Sequence, residues 1–220
     1  MEIVRWLDEG PIAYAVGWER QRARVAARQA GAVDDALILL EHPPTVTYGK
    51  AADPAFRLLD ADSYASRGID LVATDRGGDV TYHGPGQLVG YPIVHLGDGS
   101  RDLHRYVRDL ESVLIAAATD LGVVGAGRAP WHAGVWVGDG YLAAIGVRVA
   151  RWVTHHGFAL NVTGGVRDGF ATIVPCGVAD KRIITVSEAA GRPVSLDDAA
   201  EAVSARFMEI FGKMPYAVRD

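Results

Sequence analysis

The chain has 220 residues, 49% of them hydrophobic and 22% charged, which are the proportions of a globular protein with a sizeable core and exclude a disordered one. A net charge of −5 with scattered Lys and Arg argues against a nucleic-acid surface, which needs clustered cations. The single cysteine, Cys176, cannot form an internal disulfide. No basic start with an apolar stretch marks a signal peptide, and no run reaches the ~20 apolar residues that span a bilayer, so the expectation is a cytoplasmic protein without a membrane segment.

Along the chain, Ile3 to Leu7 alternates weakly and predicts an edge strand. Pro11 to Ala30, with Tyr14, Trp18 and Val25 among many Ala and Arg, predicts an amphipathic helix with Pro near its start. Ala36 to Leu40 predicts a short buried strand, ended by Glu41-His42-Pro43-Pro44, which cannot continue regular structure. Thr45 to Tyr48 predicts a strand that returns towards the sheet. Ile69 to Ala73 and Val80 to Tyr82 predict strands separated by the Arg76-Gly77-Gly78 turn, and Leu88 to Val94 predicts another. Arg101 to Leu121 places Leu103, Val107, Leu110, Leu114 and Ala118 at spacings of three and four, a helix whose Arg101, Arg105 and Arg108 read as a solvated face. Val135 to Val137, Tyr141 to Ala150 and Thr154 to Val162 predict strands, the first two joined through Gly138-Asp139-Gly140 as a hairpin. Leu196 to Phe211 predicts a closing helix, with Ser195 as its N-cap and Asp198 completing a capping box. Strands cluster centrally and helices flank them without strict βαβ alternation. The expected fold is a mixed β-sheet with flanking helices, an α/β (α+β) arrangement rather than a Rossmann fold, in one domain over residues 1–220.

Three runs can carry chemistry. In Arg76-Gly77-Gly78-Asp79-Val80-Thr81-Tyr82-His83-Gly84-Pro85-Gly86-Gln87, four glycines and a proline surround one strand. Such glycines let backbone approach a ligand, and Pro85-Gly86 is a turn pair. By residue type alone the run reads equally as a ligand wall or as a hairpin whose glycines serve only the turns; the Lys-Ser/Thr ending of a phosphate loop is missing. In Ile173-Val174-Pro175-Cys176-Gly177, the cysteine ends an apolar run and reads either as a nucleophile beside backbone N–H groups or as a small buried hydrophobe. His155-His156-Gly157-Phe158-Ala159-Leu160-Asn161 reads as a strand with a satisfied histidine. Convergence of His83, His155 and His156 on a metal is disfavoured because neither H-x-x-x-H nor C-x-x-C spacing occurs, and G-x-S-x-G is absent.

Together these runs resemble the lipoyl(octanoyl) transferases of lipoate biosynthesis. The resemblance rests on Leu39 to Pro44, the Arg76 to Gln87 block with Gly90-Tyr91-Pro92-Ile93, and Gly134-Val135-Trp136. It continues through Ala143-Ala144-Ile145-Gly146-Val147, His156 to Asn161 and Pro175-Cys176-Gly177. It implies a fold like that of biotin and lipoate protein ligases, and transfer of an octanoyl group from acyl carrier protein to a lysine of a lipoyl domain. The acceptors implied are the lipoyl domains of 2-oxoacid dehydrogenase complexes and the glycine cleavage H protein. No cofactor, metal, nucleic acid or membrane is implied. Cys176 matches the family's acyl-thioester cysteine. Arg76, Gly77, Gly78, Asp79, Tyr82, His83, Gly84 and Gln87 match the block lining the acyl and carrier-arm site. Ala143, Ala144, Ile145 and Gly146, with His156, Gly157, Phe158 and Ala159, match its other walls.

One position departs. The family has a lysine where this chain has Tyr141, before Leu142-Ala143-Ala144-Ile145-Gly146. A thiol of pKa about 8.5 is only a few per cent ionised near neutrality, and a nearby ammonium lowers that pKa. Tyrosine donates a hydrogen bond but supplies no cation. Three alternatives follow: a working transferase with His83 or His156 as base, a weakly active or inactive paralogue that binds acyl chains or lipoyl domains, or an engineered replacement of the lysine. An ATP-dependent ligase is disfavoured, because that chemistry needs no such thiol. His95, after Tyr-Pro-Ile-Val, and the insertion-like Ala129-Pro130-Trp131-His132 also differ from the family pattern and have no account at this level.

Overall fold

The computed structural model describes residues 1–50, 52–97, 101–130, 132–174 and 182–212, so Cys176 and Gly177 lie outside the described residues. Strand β1 (Glu2–Arg5) leads to helix α1 (Tyr14–Gln29) and strand β2 (Ala36–Leu40), which pairs parallel with β1. All five positions of β2 are apolar because both of its faces are covered. Leu37 and Leu39 enter one core cluster, Ile38 and Leu40 another.

The chain then turns at Pro43-Pro44 into β3 (Thr45–Tyr48) and passes through helix α2 (Ala61–Ser66), β4 (Asp70–Ala73) and β5 (Val80–His83). These strands form a separate sheet in the order β4-β3-β5. The expected return of Thr45–Tyr48 to the main sheet is thereby corrected. Val46 instead packs in its own apolar cluster with Tyr64, Val80, Tyr82 and Phe170, and that burial draws β3 away from the main core.

The remaining elements are β6 (Gln87–Ile93), α3 (Leu103–Asp120), β7 (Ala126–Ala129), β8 (His132–Val137), β9 (Gly140–Ala150), β10 (Val153–Asn161), α4 (Arg167–Phe170), β11 (Arg182–Ile183), α5 (Val186–Ala189) and α6 (Leu196–Phe211). Among the described residues the main sheet runs β1-β2-β6-β10-β9-β8-β7, with β11 added alongside β9. It mixes parallel pairs (β1 with β2, β11 with β9) and antiparallel ones, and helices flank it, as the sequence pattern predicts.

Helix α3 buries Tyr106, Leu110, Val113, Leu114 and Ala117 at spacings of three and four against one sheet face, beside α6, whose Val203, Phe207 and Phe211 are also buried. Each fully buried large apolar side chain contributes roughly 1.5–3 kcal/mol, so this cluster dominates the fold. The Ser195–Asp198 capping box forms as expected at the start of α6. Helix α1 covers the opposite sheet face through Val25 and the neighbouring Ile12. Among the described residues no helix is long and apolar enough to cross a membrane.

Candidate active site

The Gly-rich block becomes a wall because its turns are pinned. The Gly84 carbonyl accepts from the Gln87 N–H at 3.1 Å, with Pro85 second and Gly86 third at φ +88, the arrangement of a type II turn. The Glu41 carboxylate accepts from the Gly86 N–H at 2.7 Å and holds this turn against the end of β2. At the other end of β5, the Gly77 N–H donates to the Val147 carbonyl at 3.0 Å, docking the loop on β9. This close approach needs a glycine opposite: a Cβ on Gly146 would lie 3.2 Å from the Gly77 oxygen and 3.3 Å from Arg76 Cδ.

Between this loop, β9 and β10 lies a small, mostly apolar cleft. Val89, Ala144, Ile145, Phe158 and Ala159 give it apolar walls; Arg76, Asp79, His83 and His156 give it polar points. Of the residues singled out from sequence, Arg76, Gly78, Asp79, His83, Ala144, Ile145, Gly146, His156, Gly157, Phe158 and Ala159 line it. Gly77 and Gly84 shape the wall from behind. Tyr82 turns into the cluster of the small sheet, its ring edge-on to Phe170 at 5.7 Å. Ala143 joins the core under α3 and α6. The sequence reading missed Tyr14, Thr81, Val89, Tyr91 and His132, which also line the cleft. Tyr14 and Tyr91 carry no local signal of it, and His132 sits in the segment that departs from the family pattern.

Gln87 works behind the wall. Fully buried, it accepts from His83 Nδ1 at 2.8 Å and donates to the Tyr82 carbonyl at 3.2 Å and to Asn161 Oδ1 at 3.0 Å. Asn161 donates onward to the Tyr141 carbonyl at 3.3 Å. An amide oxygen only accepts, so His83 carries its proton on Nδ1 and keeps its lone pair on Nε2. Burial pushes the His83 pKa well below the usual imidazole value, with His42 and Arg76 adding to the effect. His42, 5.7 Å from His83, is also kept neutral by burial, its pKa down at about 4. Its Nδ1 donates to the Ile12 carbonyl at 2.6 Å and its Nε2 accepts from the Tyr91 hydroxyl at 2.7 Å. The Tyr14 ring stacks on His83 at 5.6 Å, and burial raises its phenol to about 12.

Arg76 is buried and donates to the Thr47 carbonyl at 2.8 Å and to the Gly77 carbonyl at 3.0 Å, which fixes a cation in the cleft wall. His156 adopts a left-handed φ of 55, held by Gln21 of α1, whose side-chain oxygen accepts from the His156 N–H at 2.8 Å. His156 Nε2 lies 2.7 Å from Asp75 Oδ1, and Asp75 also pairs with Arg148. Burial, then Arg76 and Arg148, keep the His156 imidazole neutral, because Arg148 already compensates the carboxylate. His83 meets His42, whereas His155 stacks on His156 at 5.1 Å.

An irregularity sets which way Tyr141 faces. Trp136 pairs with Tyr141 and Gly134 with Ala144, so three residues of β9 match two steps of β8 and Leu142 is the extra one. Cross-strand partners share a face, and Gly134 and Trp136 share one by alternation. Tyr141 therefore lies on the face of Ala144, buried behind the cleft and not among the residues that line it, while Leu142 enters the core. The Tyr141 ring is 1% exposed, 4.6 Å from Trp136 and edge-on to His132 at 5.8 Å. On its other side β11 runs parallel, Ile183 opposite Tyr141.

Residues 13–208 match the family model of the lipoyl protein ligase A/B catalytic domain. An octanoyltransferase of Geobacter metallireducens is 45% identical over 200 residues, 91% of this chain and 90% of its own length. One from Gloeobacter violaceus is 46% identical over 207 residues, 94% and 89% of the two chains. In fold the chain is similar to a lipoate-protein ligase A solved with ATP, at a TM-score of 0.77 and 17% identity over 96% of this chain and 86% of that one. A bi-partite lipoate protein ligase from Thermoplasma acidophilum gives a TM-score of 0.72 at 15% identity, covering 96% and 83%. By this match and these identities, the chain belongs to the lipoyl protein ligase A/B catalytic domain family, on the side of its octanoyltransferases.

Proposed function

We propose that the chain, acting as one catalytic domain in the cytoplasm, moves an octanoyl group from acyl carrier protein to a lysine of lipoyl domains through a thioester on Cys176. The observation that carries this reading is a narrow apolar cleft, walled by β9, β10 and the Gly-rich loop, in a chain whose relatives named octanoyltransferase match over nine-tenths of its length. The described strand β11, which begins six residues after Cys176, runs beside Tyr141 on the sheet that forms the cleft.

In this reading the Cys176 thiolate attacks the carbonyl of the octanoyl thioester. The carrier's thiolate leaves and takes up a proton, and the octanoyl group stays on sulfur. The acceptor lysine then attacks as a free amine; the Cys176 thiolate leaves, and the amine proton is lost to a base. The His83 Nε2 lone pair, kept neutral by burial, is an acceptor for that proton. The Gly77 N–H is already committed to Val147, so Gly78, in the cleft wall at φ +83, is the loop donor proposed for the oxyanion. Tyr141 supplies a phenol where the family has an ammonium, which slows formation of the thiolate. The alternative, acyl binding without transfer, is favoured by that phenol's burial between Trp136 and His132.

Intact-mass measurement after incubation with octanoyl-acyl carrier protein separates the two. An octanoyl adduct that is absent in Cys176→Ala and passes to a lipoyl domain supports transfer. Saturable octanoyl binding with no adduct establishes the alternative.

A further inference from the structure

At the edge of the cleft, sharing His156 with its wall, three side chains form a group to which the proposed transfer assigns no step. Asp75, His155 and His156 each offer one donor atom, and those atoms lie within 4.8 Å of one another. His155 and His156 are sequence neighbours, and a regular strand would send them to opposite faces. The left-handed backbone at His156 brings the two rings together, stacked at 5.1 Å. His155 is 4% exposed, and neither of its ring nitrogens has a hydrogen-bond partner among the described residues. A buried imidazole with both nitrogens unsatisfied is costly, and such groups call for an ion or water that meets them.

We propose that Asp75, His155 and His156 bind a divalent transition metal ion of the zinc class, with two imidazole nitrogens and one carboxylate oxygen as ligands and further positions left to solvent. Imidazole donors select zinc, cobalt, nickel or copper over magnesium and calcium, which take oxygen ligands. Donors at zinc-ligand distances of about 2.0–2.2 Å sit a little over 3 Å apart in a tetrahedron, so modest side-chain rotation closes the group on an ion. His156 Nε2, which lies 2.7 Å from Asp75 Oδ1, turns its lone pair to the ion, and its proton moves to Nδ1. Arg148, paired with Asp75, competes as a resident cation and moves off as the ion enters.

The test is titration of the intact protein with Co²⁺ and Zn²⁺, followed by calorimetry and by the visible absorption of bound Co²⁺. We expect one equivalent bound, Co²⁺ displaced by Zn²⁺ and not by Mg²⁺, and the same spectrum in Cys176→Ser. Loss of outer partners alone weakens metal sites by about 10- to 100-fold, so His155→Phe, which keeps the ring stack, weakens binding at least tenfold, as does Asp75→Asn. Thermal unfolding of each variant confirms that it folds. Arg148→Gln, freed of the competing cation, binds more tightly. No stoichiometric binding, or binding unchanged in folded His155→Phe, overturns the proposal.

Discussion

Gln87 offers the sharpest trial of how the site is held together. Replacing it with Leu keeps the volume and removes three hydrogen bonds at once, to His83, Tyr82 and Asn161. All three partner groups are buried, and each orphaned buried group costs about 1–3 kcal/mol, so the loss is about 3 kcal/mol at the low end. That is a large share of the roughly 5–15 kcal/mol by which a domain is stable. With a urea slope of about 2 kcal/mol/M, the midpoint falls by about 1.5 M at an unchanged slope. Urea unfolding followed by tryptophan fluorescence measures it directly. Transfer activity falls as well, because the freed His83 ring no longer keeps its lone pair on Nε2. A midpoint within about 0.3 M of the parent protein, well under the 1 kcal/mol cost of even one orphaned group, refutes the picture of a connected, satisfied network.

Other substitutions probe neighbouring claims. Tyr141→Lys restores an ammonium at the family's lysine position and raises single-turnover transfer at least tenfold, while lowering thermal stability through lost contact with Trp136; a rate equal to the parent's ends the thiolate argument. Gly146→Val, whose added carbons meet the Gly77 carbonyl and Arg76, raises KM for the acyl donor about tenfold or more, read from initial rates. His42 has a folded pKa of about 4 against 6.5 unfolded, so the unfolded chain binds the extra proton between those values. Stability is present above pH 6.5 and falls as the pH drops towards 4, with a slope of up to about 1.4 kcal/mol per pH unit for this group. In His42→Gln, denaturation midpoints between pH 7 and 4.5 therefore change less steeply. Ser195→Ala breaks the capping box of α6 and lowers stability by about 1 kcal/mol, measured by urea unfolding.

Where periodicity is long or burial is two-sided, the fold was legible before the structure. Ala36–Leu40 and Leu196–Phe211 have the predicted bounds, because a run of five apolar residues and a capped helical repeat each admit one solution. Strand partnership was not legible, since hydrogen-bonding neighbours are chosen by long-range packing. Hence β3 went to the wrong sheet, and β7 and β11, short and weakly patterned, were missed. The site divides in the same way. Glycine-dense runs pointed to the cleft walls, but the Asp75–His156 contact joins residues 81 positions apart, and no spacing rule announces it. Gln87 was expected in the wall and stands behind it, because its role depends on the His83 and Asn161 side chains.

The extra residue at Leu142 separates two kinds of change along β9. Swapping the side chain at 141 alters the packing against Trp136 and His132, whereas swapping 142 or 143 alters the packing beneath the two long helices. Deleting one residue there would undo the offset and send the phenol into the hydrocarbon interior. A lineage can thus exchange the ionisable group at 141 at the expense of its contact with Trp136, while the apolar cluster beneath the two long helices keeps its own residues.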